Sequence, residues 1–414
     1  MGKLAVTTLR DKIKIKHGFA FKGELFSSEG DYVVLTPGNF HETGGFKFDP
    51  SKAKFYSGEI PSDYICNQGD LIVAMTEQAE GLLGSSAIVP EDNRFLHNQR
   101  IGLVTVDSNE IDKLFLYHLL NTKSVRRQLS SSSSGSKVKH TSPDRIYDVI
   151  VSLPSLPTQQ KIAAVLSALD AKIELNQRIN VELESMAKTL YDYWFVQFDF
   201  PNAKGKSYKT SGGKMVWNEE LKREIPEGWE VGTLLDIADY MNGLPCQKFR
   251  PTGKGFLRVI KIKEMRDGLT ENSELVRPDI PEKAIIENGD VLFSWSASLE
   301  VQIWSGGKGA LNQHIFKVIS EKYPKSFYFY QLINYLQHFK MMAENRKTTM
   351  GHITQDHLKQ SRIVLPPKKL TEDLEKIIAP IFEKKINNEI EKQHLTELRD
   401  WLLPMLMNGQ VKVN

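Results

Sequence analysis

One stretch constrains this chain more than any other, because residues 157–198 contain no glycine and, after Pro157, no proline. Apolar side chains recur in it at alternating steps of four and three residues, the a/d pattern of a helix that packs along another helix. About 40 residues at 1.5 Å each would form a rod of roughly 60 Å. Such a rod cannot bury its apolar stripe alone. The stripe contains two polar positions, Asn176 and Asn180, among Ile162, Leu166, Leu169, Ile173, Leu183, Ala187, Leu190 and Trp194.

The same chain contains a second stripe with the same spacing near its C-terminus. Leu374 lies 212 residues after Ile162, and Asn388 lies 212 residues after Asn176, so the polar break recurs in phase. Two unrelated amphipathic helices are the simpler alternative. We expect the two helices to pack on each other through Ile162, Leu169, Asn176, Leu183, Leu190, Leu374, Ile381, Asn388, Leu395 and Leu402.

The segments before the two helices also repeat one another. IENGDVLFSWS at 286–296 matches CNQGDLIVAMT at 66–76, and LNQHIFKVI at 311–319 matches HNQRIGLVTV at 97–106. GHITQDHLKQSRIVLP at 351–366 matches KHTSPDRIYDVIVSLP at 139–154. Matches that keep their order while the offset drifts indicate an internal duplication. The sequence therefore predicts an α+β protein with two mixed α/β domains, joined by two long antiparallel coiled-coil helices with pseudo-twofold symmetry.

Each predicted domain also carries a helical stretch ahead of its last segment. The stretch is IDKLFLYHLLNTKSVRRQL at 111–129 in the first domain and KSFYFYQLINYLQHFKMM at 325–342 in the second. In the first domain it is followed by a tract of serines at 130–134 and by Gly135, which predicts a flexible loop.

Composition excludes several classes of protein. The chain has 414 residues, 40% hydrophobic and 25% charged, which is typical of a globular protein with two or three cores. Its formal net charge is +3, so a nucleic-acid surface would have to be local. Two distant cysteines, Cys66 and Cys246, predict a reducing compartment and no zinc site. With no apolar run of membrane-spanning length and no signal-peptide core, we expect a cytoplasmic protein.

Motifs for catalysis are scarce. The sequence has no Asn/Asp-Pro-Pro-aromatic motif of a methyltransferase and no glycine-rich phosphate loop. PDIPEK at 278–283 places acids near Lys283, but a loop before a strand explains it better than a nuclease site. His352 and His357 are five residues apart, and we do not expect them to share a metal.

Basic residues cluster at equivalent places in the two predicted domains. The first cluster contains Lys123, Arg126, Arg127, Lys137, Lys139 and Arg145, and the second contains Lys340, Arg346, Lys347, Lys359 and Arg362. Each flanks a loop of small residues, where cations suit DNA phosphates and polar side chains suit base edges. A solvated helix end is the alternative for either cluster alone. The candidate DNA-binding residues are Arg94, Lys137, Lys139, His140, Arg250, Lys308, Arg346, Lys347 and His352.

With these motifs the chain resembles the specificity subunit of a type I restriction-modification system over essentially its whole length. The resemblance rests on LPSLPTQQKIAAVLSALDAKIELNQRINVELESMAKTLYDYWF, on PEGWEVGTLLDIA, on the two Asn-Gln pairs and on LTELRDWLLPMLMNGQV. Departures occur: the first half lacks the PEGW opening, Thr158 precedes the Gln pair, and the second helix begins LTEDLEKI without that pair.

The resemblance implies a subunit that is not itself an enzyme and binds no cofactor. Each globular domain would be a target recognition domain that reads one half of a bipartite, asymmetric site in double-stranded DNA. Two modification subunits would methylate the DNA, and an ATP-dependent restriction subunit would cleave it. The implied domains are 1–156 and 226–367 for recognition, 157–200 and 368–414 for the two long helices, and 201–225 for a linker.

Two other classes stay open from the sequence alone. One is a coiled-coil scaffold that binds only protein, and the paired basic loops count against it. The other is a self-sufficient DNA-modifying enzyme, and the missing motifs count against that.

Overall fold

The computed structural model describes residues 5–77, 81–135, 138–345 and 352–413. The chain divides into two compact units. Unit 1 comprises Met1–Ile173 with Leu395–Asn414, and unit 2 comprises Glu174–His394. Both long helices therefore contribute to both units. None of the helices in the described ranges is both long and apolar enough to span a bilayer.

The elements of unit 1 that precede the first long helix are short strands with three helices near their end. They are β1 (Ala5–Thr8), β2 (Ile13–His17), β3 (Phe26–Ser27), β4 (Val33–Val34), β5 (Phe55–Tyr56), β6 (Leu71–Ala74), β7 (Thr76–Glu77), β8 (Ser86–Ile88), β9 (Phe95–Leu96), β10 (Ile101–Val106), α1 (Lys113–Leu120), α2 (Lys123–Ser132), β11 (Lys139–His140), α3 (Pro143–Tyr147) and β12 (Ile150–Leu153).

The remaining elements begin with the first long helix and end with the second. They are α4 (Leu156–Tyr191), β13 (Met215–Asn218), β14 (Arg223–Pro226), β15 (Glu230–Thr233), α5 (Leu234–Ile237), β16 (Asp239–Asn242), β17 (Leu257–Ile260), α6 (Ile262–Asp267), β18 (Leu275–Val276), β19 (Ile285–Ile286), β20 (Val291–Ser294), β21 (Glu300–Ile303), β22 (Gly309–Leu311), β23 (Ile315–Ile319), α7 (Lys325–Asn345), α8 (Gln355–Gln360), β24 (Arg362–Leu365) and α9 (Lys368–Met407).

Sheet topology confirms the predicted duplication. Unit 1 has an antiparallel sheet of order β2-β10-β6-β8, and unit 2 repeats it as β16-β23-β20-β21. In a second sheet β4 pairs in parallel with β9, and in unit 2 β17 pairs in parallel with β22. A two-stranded ribbon closes each unit, β1 with β12 and β15 with β24. Strand β6 (LIVA) and strand β20 (VLFS) are buried on both faces, as apolar runs in central strands should be.

The two long helices run antiparallel within each unit. In unit 1 Ile162 and Leu166 of α4 are buried in one core with Leu406 and Met407 of α9. In unit 2 the contacts of α9 move back along the chain as those of α4 move forward: Asn176 bonds Glu391, Asn180 bonds Asn388, and Glu184 bonds Lys385. The stripe residues are placed on the inner side of the helices. Ile162, Asn176, Leu374 and Asn388 are buried, and Leu169, Leu183, Leu190, Ile381, Leu395 and Leu402 are half-buried.

The start of α4 explains one sequence departure. Gln159, the first residue of the Gln pair, is 1% exposed. Its side-chain amide accepts from the backbone N–H of Asp112 and donates to the carbonyls of Glu110 and Pro154. The equivalent position in α9 is Thr371, also 1% exposed, whose hydroxyl bonds its own helix at Lys368. The two units therefore attach the start of the helix by different bonds.

Segment 201–225 contains a hairpin rather than extended chain throughout. The first long helix ends in a wider turn at Asp192–Val196, and Phe198 then adopts a left-handed φ of 66° that redirects the chain. Strands β13 and β14 pair over Met215–Pro226 and Asn218–Arg223. The ring of Phe200 stacks on Tyr208 at 4.6 Å and on Trp229 at 5.1 Å. Aromatic packing thus joins this segment to the core of unit 2.

The predicted serine loop is shorter than expected. Helix α2 continues to Ser132, because buried Leu129 anchors its last turn and the Ser133 hydroxyl bonds the carbonyl of Ser130. Thr122 caps the start of the helix, because its hydroxyl accepts from the backbone N–H of Val125. Unit 2 has the single helix α7 where unit 1 has α1 and α2.

Candidate nucleic-acid interface

In each unit, four separate segments meet at the same end of the antiparallel sheet. Strand β2 ends there at His17, β6 ends just before Met75, and β10 begins just after Arg100. The backbone N–H of Met75 donates to the carbonyl of Arg100 at 2.9 Å, and that of Thr141 donates to Met75 at 2.9 Å. These bonds hold His140 beside the end of the sheet. We call His17, Met75, Gln99, Arg100 and His140 the sheet-end cluster of unit 1.

Unit 2 builds the corresponding cluster with corresponding bonds. Trp295 follows β20 as Met75 follows β6. The backbone N–H of Trp295 donates to the carbonyl of His314 at 3.3 Å, and the backbone N–H of Ile353 donates to the carbonyl of Trp295 at 2.9 Å. Strand β16 ends at Asn242, the position of His17. The sheet-end cluster of unit 2 is therefore Asn242, Trp295, Gln313, His314 and His352.

Trp295 is the centre of the cluster in unit 2. Its ring lies 5.6 Å from the ring of His314, 5.6 Å from that of His352 and 5.8 Å from Phe316. Its indole N–H donates to Asn242 Oδ1 at 3.1 Å, and the Gln313 amide lies 3.3 Å from His314 Nε2. The indole is half-buried, whereas Asn242 and His352 are exposed. Amide and imidazole groups around a fixed aromatic ring suit hydrogen bonding to base edges.

Unit 1 places different chemistry at the same positions. Met75 is 2% exposed, and Gly102 on the neighbouring strand leaves room for its sulfur, where unit 2 has Phe316. The polar members His17, Gln99, Arg100 and His140 are all exposed. Arginine pairs well with guanine edges and with phosphates, so this cluster presents a cation where unit 2 presents an indole and an imidazole.

Each Asn-Gln pair is held by a close approach of two backbones. Phe19 and Asn98 form a parallel bridge, and Leu244 and Asn312 form its counterpart. Gly18 lies so close to this strand that a Cβ would come within 2.1 Å of the carbonyl oxygen of Asn98. At Gly243 a Cβ would come within 2.3 Å of the carbonyl oxygen of Asn312. Glycine at both positions is required by the approach that positions the Gln side chains.

Two arginines of the first basic cluster form hydrogen bonds within unit 1. Arg126 donates to the carbonyls of Gly81 and Glu42, and burial lowers its pKa to about 10 even though Glu77 opposes the shift. Arg145 donates to the Ser134 hydroxyl and the His140 carbonyl, both at 3.1 Å. Both guanidinium groups are half-buried, and their hydrogen bonds tie loops to the unit. Lys123 and Arg127 are exposed on α2.

The candidate DNA-binding residues differ in their surroundings. Lys139 lies 3.5 Å from Glu77 and bonds Ser130, and Lys308 lies 3.3 Å from Glu287. Arg94 pairs with Glu91 at 2.7 Å and packs 4.8 Å over the Phe48 ring. Arg250 is exposed, and His140 and His352 belong to the two sheet-end clusters. Lys137, Arg346 and Lys347 lie outside the described residues.

Sequence reasoning missed most of both clusters. It named His140 and His352 but not His17, Arg100, Asn242, Trp295 or His314, because four distant segments supply them. The matching of Asn98-Gln99 with Asn312-Gln313 was the available signal, since the residues flanking a shared motif at a sheet end are natural candidates.

The two weaker catalytic interpretations have structural explanations. His357 Nδ1 lies 2.9 Å from the N–H of Thr354 and caps α8. Lys283 lies in a short turn, Glu282–Ala284, directly before β19, the loop before a strand that was expected. Within the described ranges, no three His, Cys, Asp or Glu side chains come together as a metal site would require.

The fold and its two clusters define a class of protein: a duplicated α+β chain in which two similar units present different polar side chains from the same place. The chain belongs to the type I restriction modification DNA specificity domain family, which it matches over residues 1–185 and 226–400. It is thus the DNA specificity subunit, the non-catalytic subunit, of a type I restriction-modification system.

Individual relatives agree. The chain is 29% identical over 309 residues to the type I restriction enzyme MjaIX specificity subunit of Methanocaldococcus jannaschii, covering 72% of this chain and 69% of that one. It is 24% identical to the HindI specificity subunit of Haemophilus influenzae, covering 77% and 82%. Its fold is similar to the crystal structure of the type I restriction-modification system S subunit from M. genitalium, with a TM-score of 0.61, 15% identity, and coverage of 97% and 96%.

Proposed function

We propose that the chain recognises a bipartite, asymmetric site in double-stranded DNA, one half through each recognition domain. The domains are residues 1–156 and 226–367. The observation that carries this is the pair of sheet-end clusters, which occupy equivalent positions but present Arg100 in one unit and Trp295 with His314 in the other. Equal positions allow each domain to dock on DNA in the same way. Because the side chains differ, each domain recognises a different base sequence.

Membership of the family supports a proposal about the partner subunits. We propose that modification subunits, two in number, methylate the target that this chain selects, and that an ATP-dependent restriction subunit joins them to cleave DNA. The site of action would be the cytoplasm, where Cys66 and Cys246, free and buried in the structure, would stay reduced.

A library selection tests this function. The chain, assembled with its modification subunits, is incubated with random duplexes, and the bound duplexes are sequenced. We expect two short, different base sequences separated by a spacer of constant length and variable composition. A protein scaffold without DNA readout would enrich no sequence, and a continuous or palindromic enriched sequence would contradict the assignment of one half-site to each domain.

A further inference from the structure

A cationic surface of unit 2 has no counterpart in unit 1. Between the bridge at Leu244 and the end of β17 at Ile260, the chain contains four lysines and arginines, Lys248, Arg250, Lys254 and Arg258, and no acid. The equivalent segment of unit 1, from Phe19 to Val34, contains one cation, Lys22, and three acids, Glu24, Glu29 and Asp31. The formal charge is thus +4 for the segment of unit 2 and 1 − 3 = −2 for the segment of unit 1 at the equivalent position in the fold.

The strand register places Arg258 of β17 and Arg277, just after β18, on the same face of the two strands. Leu257 pairs with Val276, and both pack into a core, Val276 being 1% exposed. Because side chains alternate along a strand, Arg258 points to the opposite face, and so does Phe256, its neighbour two positions away. The guanidinium of Arg258 lies 5.8 Å over the Phe256 ring, which agrees with that placement.

A second arginine and a second phenylalanine extend the same surface. The guanidinium of Arg277, just after β18, lies 5.3 Å over the ring of Phe249. The backbone N–H of Arg277 donates to the carbonyl of Phe249 at 2.8 Å. We call Phe249, Phe256, Arg258 and Arg277, with the exposed Lys248, Arg250 and Lys254, the cation–aromatic face. Phe256 is 51% exposed although it is a large apolar side chain.

Nearby carboxylates only partly neutralise this face. Asp279 lies 3.4 Å from Arg277, and Glu274 pairs with Lys261 at 2.6 Å. Neither pair involves a cation of the 244–260 segment, in which Lys248, Arg250 and Lys254 are exposed and Arg258 is half-buried. Arginines stacked on aromatic rings lose little freedom when they bind a phosphate, because the ring already limits their rotamers.

We propose that the cation–aromatic face binds the phosphate backbone of duplex DNA, so that unit 2 supplies sequence-independent affinity that the equivalent segment of unit 1 does not. The partner is identified by charge complementarity: a regular array of anions fits the three exposed cations Lys248, Arg250 and Lys254 beside the half-buried Arg258. The acidic counterpart in unit 1 would repel the same array. This inference rests on the proposed function, because it assumes that unit 2 docks on DNA.

The test compares two variants of equal charge change in the full-length chain. The first is Lys248→Gln, Arg250→Gln and Lys254→Gln, three exposed side chains of the face. The matched control is Lys204→Gln, Lys206→Gln and Lys209→Gln, three exposed lysines before the β13–β14 hairpin. Duplex binding is measured by fluorescence anisotropy over a series of salt concentrations, with a specific and an unrelated duplex. Thermal unfolding verifies that both variants are folded.

The slope of log K against log salt is negative, and each lost phosphate contact should reduce its magnitude by about 0.9. We expect the face variant to reduce that magnitude by about 2 to 3 and to weaken binding to both duplexes roughly tenfold or more, with the preferred base sequence unchanged. The control should leave the slope within about 0.5 of the unaltered chain. Equal slopes for the face variant and the unaltered chain would overturn the proposal.

The outcome also separates this proposal from the function on which it rests. If the unaltered chain binds the specific duplex and only the face variant fails to change the slope, the phosphate site is wrong and the DNA function stands. If the unaltered chain shows no preference for the specific duplex, the function itself fails. An equal loss in the control would overturn the site by showing that net charge, and not this surface, determines the affinity.

Discussion

Units 1 and 2 agree in single hydrogen bonds and disagree in what they present to solvent. Lys113 donates to the carbonyl of Gly69 at 2.8 Å, and Lys325 donates to that of Gly289 at 2.7 Å. Asp70 accepts from the backbone of Asn67, and Asp290 accepts from that of Glu287, in the same turn. The sheet-end clusters and the segments of opposite charge lie on this shared frame. The duplication has thus kept turn and strand contacts while the exposed side chains diverged.

The difference shows which positions the fold requires and which are available for recognition. In a turn such as Asn67–Asp70 a side-chain carboxylate accepts from the first backbone N–H, and both copies use an aspartate for this. Arg100, which is exposed, and His314, which is half-buried, occupy equivalent positions but differ between the copies. Two copies of one frame can therefore bind DNA in one geometry and read two sequences.

The strongest challenge to the shared frame is a substitution at the glycines that bring the backbones together. Gly18→Ala and Gly243→Ala each place a methyl group within about 2 Å of a backbone oxygen, so the strands must separate. We expect each to destabilise its own unit by about 3 kcal/mol, at the upper end for an overpacked site. Hydrogen exchange with mass spectrometry should show faster exchange around Asn98 for the first and around Asn312 for the second.

Gly23→Ala is a suitable control, because a Cβ there meets nothing within 4 Å. Loss of protection in both units from a single substitution would contradict the independence of the two frames. Unchanged exchange in either variant would contradict the close approach itself.

A smaller effect should distinguish the units by pH. His118 is 4% exposed between α1, α4 and α9, and its equivalent in unit 2 is Tyr330. The pKa of His118 is lowered to about 4, first because burial penalises the imidazolium and second because Arg399 repels it. Tyr330 is buried against Tyr191 and Phe382, and its pKa is raised, so it stays neutral. Lowering the pH should therefore destabilise unit 1 through His118, whereas Tyr330 at the equivalent position of unit 2 should have no such effect.

The sign follows from the depressed pKa of a base. Above pH 6.5 His118 is neutral in both the folded and the unfolded chain and does not change the free energy of unfolding. Below pH 6.5 the unfolded chain binds a proton that the folded chain does not, so the free energy of unfolding falls. Between pH 7.5 and 5.0 this loss amounts to about 2 kcal/mol. The pKa of Asp170 is raised by burial, so its protonation in more acidic solution favours the folded state and offsets part of the loss.

Urea unfolding followed by circular dichroism at pH 7.5 and 5.0 measures this effect. His118→Gln removes the titrating group and should reduce the difference between the two pH values by about 2 kcal/mol. Tyr330→Phe, the control in unit 2, should leave the difference as it is in the unaltered chain. An equal pH dependence in the chain and in His118→Gln would show that His118 is not responsible.

The sequence predicted the frame well, because its signals are periodic or local. The stripe with Asn176 and Asn388 at matched positions, the Gly-Asp turns and the Asn-Gln pairs all recur in order, and topology confirmed the duplication. The surfaces were harder to predict. Arg126 and Arg145 belong to a basic cluster in the sequence, yet the fold uses their donors internally. Charge density alone does not distinguish a cation that holds a loop from one that binds a phosphate.

The opposite error occurred in unit 2. The cations from Lys248 to Arg258 form an uninterrupted run with two phenylalanines, and only Arg250 was selected from it. Its significance depends on strand register, which places Arg258 and Phe256 on the face opposite Leu257 and Val276. The cluster around Trp295 depends on three further segments of the chain, and no local sequence pattern predicts it.

The central claim is that each unit reads its own half of the target, and changing one sheet-end cluster tests it most directly. Trp295→Ala with His314→Ala alters unit 2, and Arg100→Ala with His140→Ala alters unit 1. Each variant is produced with the modification subunits in cells, and the methylated positions of genomic DNA are mapped by sequencing. We expect each variant to relax or change the bases of one half-site, a different half for each, with the other half and the spacer unaltered. If either variant changed both halves, or if both variants changed the same half, the assignment of one half-site to each unit would be contradicted.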